Sequence, residues 1–224
     1  MARARNYFAW QGRLVTREIG RRVVEVGCGI GNFTGMLLDR EVVVAADPEP
    51  ECIELLKKRY SGRTNLLALT CAADRPDFEA LARFHPDTCV CLNVLEHIED
   101  DLAALRRMAS VLVPGGAIVS IVPAFPALFG PIDRNLRHYR RYRMRDVRAL
   151  TEASGLHIGK LHYMNLAGFF GWWMNAHIRK LQAQSPAQIA FFDRWIVPAM
   201  ARIEDVVRPP FGQSIFAVLR KPDK

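Results

Sequence analysis

The stretch VVEVGCGIGNFT, Val23 to Thr34, runs from paired valines through an acid into three glycines in five positions. The apolar run predicts a buried strand. The glycines that close it predict a turn whose backbone comes close to a ligand, with a helix after it. Gly27, Gly29 and Gly31 are spaced G-x-G-x-G. A dinucleotide-binding turn, G-x-G-x-x-G, wants a glycine where Asn32 stands, so that pattern fails by one residue. Glu25 precedes the first glycine by two positions. A carboxylate there repels a diphosphate and attracts an ammonium group, so the turn suits a cationic ligand without phosphates.

Outward from this turn, short apolar runs alternate with helical patterns up to about Val122. RVVEVG (22–27), EVVVAAD (41–47), NLLALTC (65–71), DTCVCLN (87–93) and GGAIVSIVP (115–123) read as strands. PEPECIELLKKRY (48–60) and IEDDLAALRRMASVL (98–112) carry apolar residues at helical spacing. Val113-Pro114-Gly115-Gly116 ends the second of these helices and opens the next strand. RMRDVRALTEASG (143–155) predicts a further helix, HIGKLHYMN (157–165) a sixth strand and SIFAVLRK (214–221) the last. Near-continuous apolar strands separated by helices indicate an α/β fold whose parallel sheet is covered on both faces. Right-handed crossovers make it doubly wound, with its ligand crevice at the carboxyl ends of the strands.

Between the last two strands, two helices are expected around Phe169–Gln182 and Ala187–Val207, too apolar together for a linker. The expected organisation is one domain over 1–224: an N-terminal helix in 1–22, a cofactor-binding core and lid in 23–165, a helical cap in 166–212 and the final strand in 213–224.

The second strand ends in AADPEP, where Asp47 can accept two ribose hydroxyls in a bidentate pair. The third runs into CAADRPD and the fourth ends in LNVLEHI. Together with VEVGCGIGN and the LVPGG-strand-VPA segment, these motifs resemble the class I S-adenosylmethionine-dependent methyltransferases over about Val23 to Ala124. PIDRNLRHYRRY, followed by a helix and a G-L-H-I strand, resembles the small-molecule subgroup of types 11 and 12, which includes quinone and natural-product methyltransferases. The resemblance implies a seven-stranded, mostly parallel Rossmann-like sheet with a two-helix insertion before the last strand. It implies S-adenosyl-L-methionine as cofactor and S-adenosyl-L-homocysteine as product. By the same resemblance Glu25, Gly27, Cys28, Gly29 and Gly31 frame the methionine portion, and Asp47 with Pro48 holds the ribose. Ala73 and Asp74 meet the adenine, while Asn93, Val94, Leu95 and His97 lie along the methionine arm, Asn93 beside the sulfonium.

Methyl transfer from a sulfonium mainly requires alignment and exclusion of water. A general base is needed only when the acceptor arrives protonated. His138, in DRNLRHYRRYR beyond strand five, is the candidate base, and Tyr139 beside it can orient an acceptor. The alternative for His138 is a loop residue that packs a lid. His97 is expected to support the cofactor pocket or cap a helix rather than act directly. Seven arginines crowd the same region: Arg134, Arg137, Arg140, Arg141, Arg143, Arg145 and Arg148. They can grip a carboxylate or phosphate on the acceptor, or form a solvated face paired to Asp133 and Asp146.

GFFGWWMNAHI and IAFFDRWIVPAM hold three of the four tryptophans. Core packing, an acceptor roof, a dimer interface and a membrane-surface contact all remain open for them. RARNYFAWQGRLVTREIGRR predicts an amphipathic helix that either closes over the cofactor with Tyr7 and Trp10 or covers a sheet edge.

Half of the 224 residues are hydrophobic and the net charge is +8, which favours anionic partners in general and does not fix a fold. No recognition module accompanies the charge, so no nucleic-acid partner is expected. The five cysteines form no C-x-x-C pair and read as reduced thiols of a cytoplasmic protein. No apolar run is long enough to span a bilayer, and no His/Cys spacing suggests a metal. The expected activity is methyl transfer to a small, partly apolar molecule, open to negative charge, with oxygen preferred to nitrogen or carbon. An NAD(P)-dependent oxidoreductase and a non-catalytic adenosyl-ligand-binding protein are the rivals.

Overall fold

The computed structural model describes residues 4–179, 181–183 and 185–223. Seven strands form one sheet: β1 (Arg22–Val26), β2 (Val42–Asp47), β3 (Leu66–Thr70), β4 (Thr88–Leu92), β5 (Ala117–Pro123), β6 (His157–Met164) and β7 (Ser214–Arg220). Their order is β3-β2-β1-β4-β5-β7-β6, and β7 alone runs against its neighbours. The direction of winding reverses between β1 and β4. A doubly wound sheet opens its ligand crevice at such a point, outside the carboxyl ends of those strands. Val23–Val26 pair with Thr88–Cys91, so the glycine turn after β1 lies beside the chain leaving β4.

Period-two alternation assigns each strand's side chains to one of two cores. Val24, Val26, Cys89, Cys91 and Ile118 pack with Phe78, Leu105, Met108 and Val147. These last come from the Pro76–Phe84 segment, α3 (Asp101–Val111) and α5 (Met144–Ala153). Val23, Val43, Val90, Val119 and Phe216 face the other way, onto Trp10 and Leu14 of α1 (Arg5–Thr16) and onto Val197 and Met200 of α8 (Val197–Glu204). Burial on both faces is why these strands read as continuous apolar runs. Ile53 and Leu56 of α2 (Pro50–Arg59) cover Cys28 and Ala45.

The helix expected after the glycine turn is absent. Only a 3₁₀ turn, Thr34–Met36, stands there, held by i to i+3 bonds from Met36 to Phe33 and from Leu37 to Thr34. Gly35 is a poor helix former. A Cβ on it would lie 2.8 Å from the Tyr60 hydroxyl, so the backbone is drawn in close. With β2 starting at Val42, the segment closes in tight turns instead.

The segment after β5, expected as a lid, contains a short helix, α4 (Pro131–Asn135), ahead of α5. Between β6 and β7 lie α6 (Leu166–Trp173), α7 (Pro186–Phe191) and α8. α6 continues through Ile178, and α7 joins α8 through Phe192–Ile196, both in wider π turns. Pro198 lacks an N–H and would clash with the carbonyl four residues back, which accounts for the widening just before it. The first helix begins three residues earlier than the apolar pattern suggests and the second one residue earlier, both at caps. Asn165 accepts from the N–H of Gly168 and Ser185 from that of Gln188.

Two buried carboxylates tie the distant pieces together. Glu204 of α8 accepts from the N–H groups of Asn165 and Leu166, both at 2.8 Å, at the start of α6. Asp193 accepts from those of Asn6 (3.1 Å) and Tyr7 (2.8 Å) at the start of α1. Tyr7 and Trp10 belong to the packing between α1, α8 and the sheet, and Trp10 is 1% exposed. This favours the reading of α1 as a sheet cover. Of the cap aromatics Trp172 is buried, whereas Phe170, Trp173, Phe191 and Trp195 are exposed. Among the described residues, no helix is long and apolar enough to cross a membrane.

Candidate active site

β1 ends in a turn that only glycine accommodates at two of its positions. Gly27 has φ +71, and a Cβ there would lie 2.4 Å from Val94 Cγ2. Gly31 has φ +80 beneath the Tyr60 ring. Gly29, at φ +51, differs because a Cβ on it would meet nothing within 4 Å. The chain therefore uses its first and third glycines for internal packing and leaves the middle one facing open space. The N–H groups of Gly27 and Cys28 donate to Ala46 O, which fastens the turn to the end of β2.

Two carboxylates lie under this turn. Glu25 is 4% exposed and accepts from the Thr34 hydroxyl at 2.6 Å. Burial raises it to about 8, the Thr34 bond pulls the other way, and the negative charge of Asp47 adds to the rise. Asp47 accepts from Gly29 N–H through Oδ2 (2.7 Å) and from Glu49 N–H through Oδ1 (3.0 Å). Each oxygen keeps a lone pair free, so the carboxylate is held in place with capacity for two more donors. Pro48 beyond it is exposed.

These features fit the group the sequence implies. A buried carboxylate calls for a cation, open space at Gly29 admits a ligand against the backbone, and an anchored carboxylate at the end of β2 suits a diol. Ala73 and the exposed Asp74 follow β3. Asn93 leaves β4 at φ +54, and Val94 packs against the glycine turn. Leu95 is buried, and His97 is exposed at the end of the 3₁₀ turn Leu95–His97.

The lid places His138 beside His97. Their rings meet edge to face with centroids 4.6 Å apart. His97, Leu136, Arg137, His138 and Tyr139 line an open cleft of ≈ 430 Å³. His138 Nδ1 lies 3.0 Å from Asp133 Oδ1, which also accepts from Arg141 Nε at 2.8 Å. The other oxygen of Asp133 accepts from Gly130 N–H at 2.9 Å and, more weakly, from Trp172 Nε1 at 3.4 Å. Burial would raise Asp133, but the His138 bond, the charge of Arg141 and the Gly130 bond outweigh it and hold the carboxyl below its ordinary value. Arg141 stacks on Trp172 at 4.6 Å.

Glu96 completes the cluster. It is 1% exposed, and neither of its oxygens has a hydrogen-bond partner among the described residues. Burial raises it to about 8. One ligand atom each from Glu96, His97 and His138 can be chosen so that all lie within 4.8 Å of one another.

Residues 24–118 match the methyltransferase domain family. The chain is similar to methyltransferases over that stretch, which is just under half of its length. Among curated relatives, a ubiquinone biosynthesis O-methyltransferase of Xanthomonas campestris is 34% identical over 117 residues, 49% of this chain and 46% of that protein. The match thus spans just under half the length of such a relative. The fold of this chain is shared with an S-adenosylmethionine-dependent methyltransferase from Mesorhizobium loti (TM-score 0.63, 16% identity, 94% of this chain and 96% of that one). It is shared too with the N-methyltransferase NodS from Bradyrhizobium japonicum, solved with S-adenosyl-L-homocysteine (TM-score 0.59, 18% identity, 97% and 87%).

The structure brings the strand-end residues named above to the carboxyl end of the sheet, as their order requires. The arginine-rich lid divides. Arg141 is buried on Asp133, and Arg140 pairs with Asp101 at 2.9 Å. Arg134, Arg137, Arg143 and Arg148 stay exposed. Sequence reading overlooked Glu96, Thr34 and Trp172 as site residues and took Asp133 only as a surface partner for arginines. An acid inside an otherwise apolar L-E-H turn was the one available signal for Glu96.

Proposed function

We propose that this methyltransferase moves the methyl group of S-adenosylmethionine to an oxygen of a small, partly apolar acceptor that can carry negative charge, and does not act on nucleic acid. The supporting observation is the pair of anchored carboxylates, Glu25 and Asp47, beneath a turn whose middle glycine faces open space. Bound S-adenosylmethionine supplies an already activated methyl on a sulfonium. Glu25, Gly27, Cys28, Gly29 and Gly31 hold the amino-acid end, and Asp47 with Pro48 the ribose. Ala73 and Asp74 receive the adenine. Asn93, Val94, Leu95 and His97 line the arm toward the cleft.

His138 is assigned to the reacting oxygen of the acceptor and Tyr139, 55% exposed at the rim, to its orientation. The fixed His138–Asp133 contact supports this, because a ring held at Nδ1 presents Nε2 in one direction. Arg137, exposed in the wall of the cleft, favours an anionic group on the acceptor. The O-methyltransferase named for ubiquinone biosynthesis favours oxygen and an apolar arm. Five unpaired cysteines suit a reducing compartment. Residues 1–224 would act as one domain, with 166–212 as a cap over the acceptor side.

Calorimetry with S-adenosylmethionine, S-adenosylhomocysteine and NAD tests the cofactor half, and Asp47→Ala should weaken the first two at least tenfold. Preference for NAD would overturn the reading. His138→Gln, assayed at saturating cofactor with catechol-type and carboxylate-bearing phenols, should lose most of its turnover. An unchanged rate would remove His138 from the site.

A further inference from the structure

We propose that Glu96, His97 and His138 form a binding site for a divalent transition-metal ion of the zinc class, at the mouth of the acceptor cleft. The first observation is convergence: the end of β4 supplies a carboxylate and an imidazole, and the lid supplies a second imidazole across the gap. The second is Glu96 itself, 1% exposed and aimed at neither donor nor solvent. A buried carboxylate without a partner is costly, and a cation removes that cost. The third is His138. Its Nδ1 lies 3.0 Å from Asp133, and a proton there leaves the Nε2 lone pair for a ligand bond. A ligating histidine usually donates its other N–H to a carboxylate in this way.

The charges balance in favour of an ion. Arg141 approaches Glu96, but it is paired with Asp133 at 2.8 Å. A bound ion would ionise Glu96, and two buried carboxylates against one guanidinium would then offset its charge beside two imidazoles. Zinc-ligand distances of about 2.0–2.2 Å require the three atoms to close in slightly from their present spread. His97, exposed on a short turn, is the side chain free to move. Two nitrogens and one oxygen suit zinc, cobalt, nickel or iron better than magnesium or calcium. Three protein ligands leave at least one position open to the cleft. The chemical use of the ion rests on the reading of that cleft as the acceptor site, since a metal there would hold the acceptor oxygen and lower the pKa of its hydroxyl; His138, with Nε2 on the ion, would then act on the acceptor through the metal rather than as its base. The binding of the ion does not depend on that reading.

The test uses the tag-free full chain, stripped with a chelator and titrated with Zn²⁺ by calorimetry and with Co²⁺ by visible absorption. One equivalent should bind, with Mg²⁺ at least a hundredfold weaker. Glu96→Gln and His138→Gln should each weaken Zn²⁺ at least tenfold while S-adenosylmethionine affinity stays within twofold, which also verifies folding. The Co²⁺ spectrum of the unaltered chain reports nitrogen and oxygen ligation even if a variant fails to fold. Absence of a stoichiometric ion, or Zn²⁺ binding unchanged in both variants, would overturn the site. Thiolate-type Co²⁺ bands would do the same by assigning the ion to cysteines. If chelation leaves turnover intact while His138→Gln abolishes it, the metal inference fails and the methyl-transfer reading survives. If Co²⁺ binds as expected but no sulfonium ligand does, the reverse holds.

Discussion

Gly27 and Gly29 look alike in the sequence and do different work. A Cβ on Gly27 would strike Val94, whereas one on Gly29 would point into open space. Both residues have positive φ, which costs a side chain about 1–2 kcal/mol. Gly29→Ala should therefore lose only about 1 kcal/mol of stability in a denaturant melt. Its loss of S-adenosylmethionine affinity should be larger, at least tenfold by calorimetry. Gly27→Ala should lose more stability than that, because Val94 must move as well. Similar melts for the two variants would contradict this division.

Glu25 carries the pH dependence. With its folded pKa raised to about 8, the folded state keeps a proton that the unfolded state releases near the ordinary carboxyl value. Its contribution to stability is thus intact at low pH and is lost as pH rises from about 5 toward 8. Glu25→Gln should flatten that slope in thermal melts. An ammonium ligand favours the ionised form, so affinity for S-adenosylmethionine should rise with pH by up to about tenfold per unit below 8. Above that the ligand's own amino group, with a pKa of about 8, loses its charge and the gain reverses. Methylthioadenosine, which lacks the amino group, should bind without the slope.

This residue-scale logic was legible in part. Three glycines and an acid at fixed spacing announce a turn and the charge of its guest. Glu96 and His138 come from different strand ends, and nothing local relates them. Only the sheet order brings them together.

At the scale of elements, the lid and the cap depend on carboxylates that bridge distant segments. Asp193 provides the N-terminal cap of α1, and the helix has no cap from its own Ala4. Asp193→Ala should cost about 1–2 kcal/mol, at the upper end for a cap because the site is buried. Hydrogen exchange should speed up in α1 and at 192–204 while α3 keeps its protection. Uniform acceleration across the sheet would argue against a local clamp. The helices between β6 and β7 were legible from apolar content, and their starts were missed by three residues for the first and by one for the second. Asn165 and Ser185 set those starts through side-chain bonds to backbone, a signal that apolar periodicity does not register. The turn after Gly31 was misread as a helix for a related reason. Its fate is decided by Tyr60, the residue that closes α2, resting on Gly31 and Gly35, a contact between segments far apart in sequence.

For the whole molecule, strand alternation and the reversal of winding between β1 and β4 follow from apolar pattern and chain order. They place the crevice without any knowledge of the ligand. What the pattern withholds is the proposed acceptor side, which would be built from the segment after β5 and the insertion before β7, whose packing is long-range. The sheet also has an unusual order of completion. β7 lies between β5 and β6 and pairs antiparallel with both. Since the ribosome releases β5 and β6 first, β5 must wait unpaired along one edge, and β6 along both, for a strand made later. β6 cannot join the sheet at all until β7 arrives, and α1 stays uncapped until residue 193 has emerged. Synthesis of this chain should therefore pass through a long interval with a bare β edge, the kind that recruits chaperones or neighbouring nascent chains.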